Sequence, residues 1–119
     1  MAPSSPPAAA WLVREGKVLA SVEVADTPRS RMRGLLGRDG IDGAILLAPA
    51  RSVHTIRMRF AIDVAFLDAE MMVVRVVAMV PWRLGRPVRH ARSVLETERG
   101  VMASWNLRVG DRLTVTDHA

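Results

Sequence analysis

The chain has 119 residues, of which 50% are hydrophobic and 24% are charged. This length predicts one domain with a single sizeable core, and the composition is that of a globular protein. The absence of cysteine excludes disulfides, thiolate zinc sites and cysteine nucleophiles.

The formal net charge is +5, and Lys17 is the only lysine. An arginine-rich composition of this kind has two interpretations. It can reflect a GC-rich coding bias, or it can mark an anion-binding surface, because the guanidinium fork suits phosphate and carboxylate.

The first ten residues, MAPSSPPAAA, are low in complexity and carry no basic residue. A secretory signal needs a charged start and a longer apolar run than this segment has. Because the segment is low in complexity and terminal, we predict a disordered tail over residues 1–9. One domain is predicted over residues 10–117. The longest apolar run, residues 71–80, is interrupted by Arg75 and is too short to span a bilayer. We therefore expect a soluble cytoplasmic protein with no membrane partner.

A β-hairpin is predicted at the start of the domain. Residues 11–14 and 18–24 flank the turn dipeptide Glu15-Gly16, and the second run alternates apolar and polar side chains. This pattern is typical of paired strands with one buried face.

A single helix follows the hairpin. Asp26 or Thr27 is suited to cap it, Pro28 to occupy its first position, and Gly37 to end it. A helix of this length, over about residues 28–36, is stable only when it packs on the rest of the domain.

The remainder of the chain contains short strands and loops. Residues 62–80 predict a second hairpin, since two apolar runs flank the turn formed by residues 68–70. Further elements are predicted as strands at 43–48, 52–56, 93–96 and 112–116, a loop at 81–92 and a helical turn near 98–105. The pattern predicts a mainly β (α+β) domain, a compact small sandwich or barrel of about 7–8 short strands with the helix packed on it. A parallel α/β fold would need more crossover helices.

The segment from Val53 to Asp68, VHTIRMRFAIDVAFLD, places charged side chains among residues typical of a sheet core. Buried charge costs free energy unless it is paired or used, so a functional site is expected here first. His54 is either a structural hydrogen-bonding residue or a titrating group in a pocket. The histidines lack metal-ligand spacing and no metal or cofactor is expected, although His54 with Asp63 or Asp68 stays open as a metal pair.

Asp63 and Glu96 are carboxylates within predicted strands. A covered Asp63 either forms a structural ion pair with an arginine such as Arg57 or Arg59, or acts as a pocket acid that holds a polar ligand. Glu96 with Asp63 would permit acid–base chemistry if the two came within reach, but their sequence separation does not determine that distance.

The loop at residues 81–92 is the most basic segment, and no acidic residue lies between Met71 and Leu95. Trp82 in this loop could stack on a base or a sugar. Trp82 and the four arginines of this loop together predict a polyanion-binding or nucleic-acid-binding surface. The arginines are Arg83, Arg86, Arg89 and Arg92. A solvated loop in an arginine-rich protein would show the same pattern.

Three motifs together resemble the DUF192 family (domain of unknown function 192) of small bacterial and archaeal proteins, from about Trp11 to Val115. They are RMRGLL at residues 31–36, HTIRMRFAIDVAFLD at residues 54–68, and VLE at residues 94–96 followed by Gly100 and Gly110-Asp111. The chain departs from the family at Leu36, where the family has methionine, and at residues 97–99, which are polar.

The resemblance implies a compact mainly β fold with a packed helix, and it implies no particular activity. Five residues occupy family-motif positions, either because the fold requires them or because a site does. They are Arg31, His54, Met58, Asp63 and Glu96.

Our first hypothesis is a small non-enzymatic binding domain for a polar or anionic ligand, such as a carbohydrate or a phosphate ester. The candidate ligand-binding residues are Arg31, His54, Arg57, Met58, Asp63 and Glu96. The alternatives are polyanion binding through the basic loop, and a hydrolase or lyase that uses His54 with Asp63 or Glu96. A role in assembly, with Met71, Met72 and the edge strands as the contact surface, is also open.

Overall fold

The structure, a computed structural model that describes residues 9–117, is built on one seven-stranded mixed sheet. In chain order its elements are β1 (Ala9–Arg14), β2 (Lys17–Ala25), α1 (Pro28–Arg33), β3 (Ala44–Leu47), β4 (Ile62–Leu67), β5 (Val73–Met79), β6 (Ser93–Glu98), α2 (Val101–Ser104) and β7 (Thr114–Thr116). The spatial order of the strands is β5-β4-β6-β3-β2-β1-β7. Neighbouring strands are antiparallel except β2 and β3, which are parallel.

The two edges of this sheet are joined beside β5 and β7. Met72 and Arg112 form a β-bridge, and the backbone N–H of Val73 donates to the carbonyl of Asp111 at 2.8 Å. The sheet therefore curls toward a closed barrel, which leaves less exposed strand edge than an open sheet. Met71 and Met72, considered above as a contact surface, are half-buried at this junction.

Each face of the sheet carries a hydrophobic core. The inner core draws side chains from around the sheet, among them Leu12, Val22, Leu46, Leu67, Leu95 and Leu113. The outer core lies on β3, β4 and β6 and includes Ile45, Val64, Phe66 and Val94, with Leu35, Val53 and Met58 packed over them. Since side chains alternate along a strand, a step of one residue moves a side chain from one core to the other.

The predicted mainly β fold with a helix packed on it is confirmed. The second predicted hairpin is present as β4 and β5, and the helical turn near residues 98–105 contains α2. Residues 52–56 do not form a regular strand, because their pairing is limited to a β-bridge between His54 and Leu84.

Helix α1 begins as predicted and ends earlier. The Thr27 hydroxyl accepts the backbone N–H of Ser30 at 3.1 Å, and Pro28 is the first helical residue. The predicted end at Gly37 is wrong, because Gly34 adopts a φ of 45° and its N–H caps the carbonyl of Ser30. Helix α1 connects the parallel strands β2 and β3, so it lies over the outer face of the sheet.

The tail predicted over residues 1–9 lies outside the described residues, apart from Ala9, which begins β1. The longer of the two helices in residues 9–117 has six residues, so none of the described helices is long and apolar enough to cross a membrane.

Candidate functional site

A cavity of about 80 Å³ lies between α1 and the outer face of the sheet. Four of the six predicted ligand-binding residues line it, namely Arg31, His54, Met58 and Glu96. Its apolar lining includes Leu35, Leu47 and Val53. The volume is sufficient for a few water molecules or for the polar end of a small ligand.

Glu96 lies at the centre of this arrangement because of its position in β6. Its neighbours across the sheet are Ile45 on β3 and Val64 on β4, and both belong to the outer core. Only 4% of Glu96 is exposed. Within residues 9–117, no hydrogen bond or ion pair reaches its carboxylate, which therefore depends on the cavity for its polar contacts.

Burial raises the pKa of Glu96 to about 7, because the charged form loses the solvation that water would supply. Near neutral pH the side chain is therefore present both as a neutral acid, which can donate a hydrogen bond, and as a carboxylate, which can accept several. A group of this kind can hold a ligand hydroxyl or exchange a proton with a bound molecule.

Arg31 supplies a cation to the same cavity from the middle of α1. Its Nη1 donates to the backbone carbonyls of Asp26 at 3.2 Å and of Ala48 at 3.4 Å. No ion pair to a carboxylate is formed by Arg31 within the described part of the chain. Because a guanidinium has five N–H donors, several remain for a ligand.

His54 is positioned by a short two-stranded ribbon. It forms the bridge with Leu84, while the N–H of Gly85 donates to the carbonyl of Val53 at 2.8 Å. The buried hydroxyl of Thr55 donates to the carbonyl of Val80 at 2.6 Å and accepts the N–H of Arg83 at 2.9 Å. The ribbon is therefore anchored on its buried side by Thr55, and the exposed His54 lies at the rim of the cavity.

Met58 and Arg57 are consecutive residues of one tight turn. The N–H of Met58 donates to the carbonyl of Thr55 at 3.1 Å, and Arg57 occupies the third position of this turn with a φ of 66°. A positive φ at that position is the geometry of a type II turn. The turn leaves Met58 buried at the cavity and Arg57 exposed outside its lining, so the structure does not bring Arg57 together with the other predicted residues.

Asp63 lies on the other side of the sheet from Glu96. Its neighbour on β6 is Thr97, one residue beyond Glu96, so the two carboxylates occupy opposite faces. One oxygen of Asp63 accepts the backbone N–H groups of Gly100 at 2.8 Å and of Met102 at 3.2 Å. Asp63 therefore caps α2, and of the alternatives for it the ion pair with Arg57 or Arg59 is wrong.

Paired carboxylate chemistry and the alternative metal pair lose their geometric basis with this placement. Asp68 is occupied in its own turn, where it accepts the N–H groups of Glu70 and Met72, both at 2.9 Å. Within residues 9–117, no group of three or more histidine, aspartate or glutamate side chains is arranged to hold a metal ion.

The four arginines of the basic loop are all exposed. None of them forms an ion pair with a described residue. Arg86 lines a second groove with Arg75, whereas Arg83, Arg89 and Arg92 line neither this groove nor the Glu96 cavity.

The sequence did not single out Arg33 and Leu35, which also line the Glu96 cavity. Both lie in the motif at residues 31–36, so the motif was the available signal. Arg33 is the last residue of α1, and Leu35 follows the C-cap Gly34 and is buried in the outer core.

Two solved structures illustrate the same fold. A proposed transcription regulator from Sinorhizobium meliloti superposes with a TM-score of 0.81 at 20% identity, over 98% of this chain and 100% of that one. A protein of unknown function from Novosphingobium aromaticivorans superposes with a TM-score of 0.76 at 18% identity, over 96% of this chain and 93% of that one. At these identities the likeness shows a shared fold.

Relatives of higher identity come from archaea. A UPF0127 protein of Pyrococcus furiosus is 36% identical, over 85% of this chain and 92% of its own length. A UPF0127 protein of Pyrococcus horikoshii is 32% identical, over 86% of this chain and 96% of its own length. The model of DUF192, described as Uncharacterized ACR, COG1430, matches residues 11–115. The resemblance seen in the three motifs is thereby confirmed, and the chain belongs to the DUF192 family.

Proposed function

We propose that this protein is a non-enzymatic binding domain that holds the polar end of a small ligand in the cavity lined by Glu96, Arg31 and His54. The observation that carries the proposal is the carboxyl group of Glu96, which opens only to the cavity in a residue that is 4% exposed and has no hydrogen-bond partner within residues 9–117. A buried ionisable group without a partner costs free energy, and such groups concentrate at binding and catalytic sites.

The ligand group that best complements this cavity is a hydroxyl. Glu96 as a carboxylate needs a donor, whereas the free N–H groups of Arg31 need an acceptor. A hydroxyl supplies both from one atom and carries no charge into the outer core. Vicinal hydroxyls, as in a carbohydrate, would serve Glu96 and Arg31 together.

A phosphate ester is the less favoured ligand of the two classes. Arg31 and Arg33 suit its charge, since arginine binds phosphate oxygens in pairs. The carboxylate of Glu96 would repel it, so a phosphate ester should bind well only below the raised pKa of Glu96. Its affinity should therefore fall as pH rises through about 7.

Trp82 supports the choice of a carbohydrate. Its backbone N–H donates to the carbonyl of Thr55 at 2.8 Å, which places it on the ribbon that carries His54. Trp82 is 62% exposed, so a broad apolar face is available on this ribbon. Aromatic rings of this kind combine apolar contact area with a polar edge.

The proposal is tested by thermal unfolding with a panel of monosaccharides and sugar phosphates. A ligand that binds only the folded protein raises the unfolding midpoint by mass action, by an amount that grows with concentration. We expect the rise with one sugar class to be lost in Glu96→Gln, in Arg31→Gln and in His54→Ala.

Each variant has a matched control within the chain. Arg29→Gln alters an exposed arginine on the same helix, and His90→Ala alters an exposed histidine outside the cavity lining. Both controls should keep the ligand-induced rise. If no sugar or sugar phosphate raises the midpoint, or if the controls lose the rise equally, the proposal is wrong.

A second candidate function is a hydrolase or lyase that uses Glu96 as its acid–base group. It is favoured by the pKa of Glu96 at about 7, where a general acid or base is most effective, and by the presence of His54 on the same cavity. A pairing of His54 with Asp63 is less favoured, because Asp63 lies on the opposite face of the sheet and accepts the backbone N–H groups of Gly100 and Met102. Product formation from a stabilising ligand, lost in a folded Glu96→Gln variant, would favour the enzyme over the binding domain.

A further inference from the structure

A second and larger groove, of about 440 Å³, lies on the outer face of β5, away from Glu96. Its lining includes Phe66, Val77, Met79 and Val88, with Arg75 and Arg86 as the charged members. We propose that this groove binds an amphiphilic carboxylate, such as a medium-chain fatty acid, with its head group at Arg75.

The apolar floor follows from the register of β4 and β5. Arg75, Val77 and Met79 alternate along β5 and therefore share one face, and Arg75 lies directly across from Phe66. The cation is thus at one end of an apolar strip. From Arg75 to Met79 the strip extends about 13 Å, which matches a medium-length acyl chain.

The opposite wall is the segment from Gly85 to Val88, and backbone hydrogen bonds anchor it at both ends. The N–H of Gly85 donates to the carbonyl of Val53, and the N–H of Val88 donates to the carbonyl of Arg51, both at 2.8 Å. A side chain at Gly85 would lie 2.5 Å from the Val53 oxygen, so only glycine permits this close approach. The groove is therefore present before a ligand arrives, which lowers the entropic cost of binding.

The charge of the groove selects an anion. Neither Arg75 nor Arg86 forms an ion pair or a side-chain hydrogen bond with a residue of 9–117. No acidic residue lies between Met71 and Leu95, a range that covers β5 and the whole wall. A ligand with an apolar body and one carboxylate would complement both the floor and the guanidinium group of Arg75.

The test is isothermal titration calorimetry of the full chain with octanoate at low salt. We expect saturable binding of one octanoate, with octanol and acetate each binding at least about tenfold more weakly, because each lacks one half of the complementarity. Arg75→Gln should weaken octanoate binding by about tenfold. Arg75 is exposed, so the variant should fold.

Arg29→Gln is the matched control, since it removes the same charge from an exposed site on α1. Equal weakening by Arg29→Gln, or octanol binding as tightly as octanoate, would overturn the proposal. It would also be overturned if a short oligonucleotide, and not octanoate, bound in a manner sensitive to Arg75 and Arg86. Glu96→Gln should leave octanoate binding unchanged, so binding at this groove and binding at the Glu96 cavity can fail separately.

Discussion

Asp63 and Glu96 are two buried carboxylates on adjacent strands with opposite physical situations. Asp63 is 8% exposed and accepts two backbone N–H groups at the start of α2. Glu96 is 4% exposed, has no partner in residues 9–117 and has a pKa raised to about 7. Equal burial therefore does not imply an equal role. A satisfied carboxylate holds the fold together, whereas an unsatisfied one weakens it and is available to a ligand.

The largest expected effect is that of Asp63→Ala. The change leaves the N–H groups of Gly100 and Met102 without their acceptor, so we expect a loss of about 4 kcal/mol in the free energy of unfolding. Asp63→Asn keeps an acceptor oxygen and should lose less. Urea denaturation measures both.

The control for Asp63 is Asp39→Ala, which removes a carboxylate from an exposed ion pair with Arg59. Such pairs contribute little, so its effect should stay under about 1 kcal/mol. If Asp63→Ala were as mild as this control, the structural role given to Asp63 would be wrong.

Glu96→Gln should raise the free energy of unfolding at neutral pH, in contrast to Asp63→Ala, which should lower it. The folded protein keeps the proton of Glu96 up to a pKa of about 7, whereas the unfolded chain releases it near 4.5. The free energy of unfolding of the wild type therefore falls as pH rises between these two pKa values and stays constant above them. Its total decrease is about 3 kcal/mol.

The variant lacks this titration, so we expect it to exceed the wild type in stability at about pH 8 and to match it at about pH 4. Denaturation curves across this range measure the difference. Glu70→Gln, at an exposed position in a turn, is the control and should show no such trend. A Glu96→Gln variant less stable than the wild type at high pH would mean that the carboxylate has a stabilising partner.

Thr55→Val extends the comparison to an uncharged group. Thr55 is fully buried, and its hydroxyl is bonded to the backbone of Val80 and of Arg83. If hydrogen-bonded buried polar groups stabilise this fold, the change should lower the free energy of unfolding by about 2 kcal/mol. Chemical denaturation measures this value. No change would mean that only charged buried groups differ in this way.

The smallest effect on stability is expected for the combined change of Arg83, Arg86 and Arg89 to Gln. These side chains are exposed, so the free energy of unfolding should change by less than about 0.5 kcal/mol per site. If the basic loop binds a polyanion, affinity for a short oligonucleotide should fall steeply with added salt and should be lost in the triple variant. Binding that survives the triple change would exclude this loop as the interface.

Much of the fold was predictable because its signals are local. Alternation marked the strands of the 62–80 hairpin, and Thr27 with Pro28 marked the start of α1. The end of α1 was predicted too late. Gly34 and Gly37 both have a positive φ, and the sequence does not show which of them receives the capping contact.

The candidate site was predictable only as a set of residues. Arg31, His54, Met58 and Glu96 were named from their positions in motifs, and the structure brings these four to one cavity. Asp63 and Arg57 were grouped with them because they lie in the same segment of sequence. The register of β4 against β6 and the turn at Thr55–Met58 separate them from the cavity.

The sequence by itself determined the class of fold, the family and the presence of carboxylates in buried strands, because these depend on neighbouring residues and on shared motifs. Only the tertiary structure decided which carboxylate is satisfied. Asp63 obtains its donors from residues 37 and 39 positions further along the chain, while Glu96 faces a cavity formed by α1 and the ribbon of His54. Such partners are set by strand register and chain crossing, which no local pattern specifies.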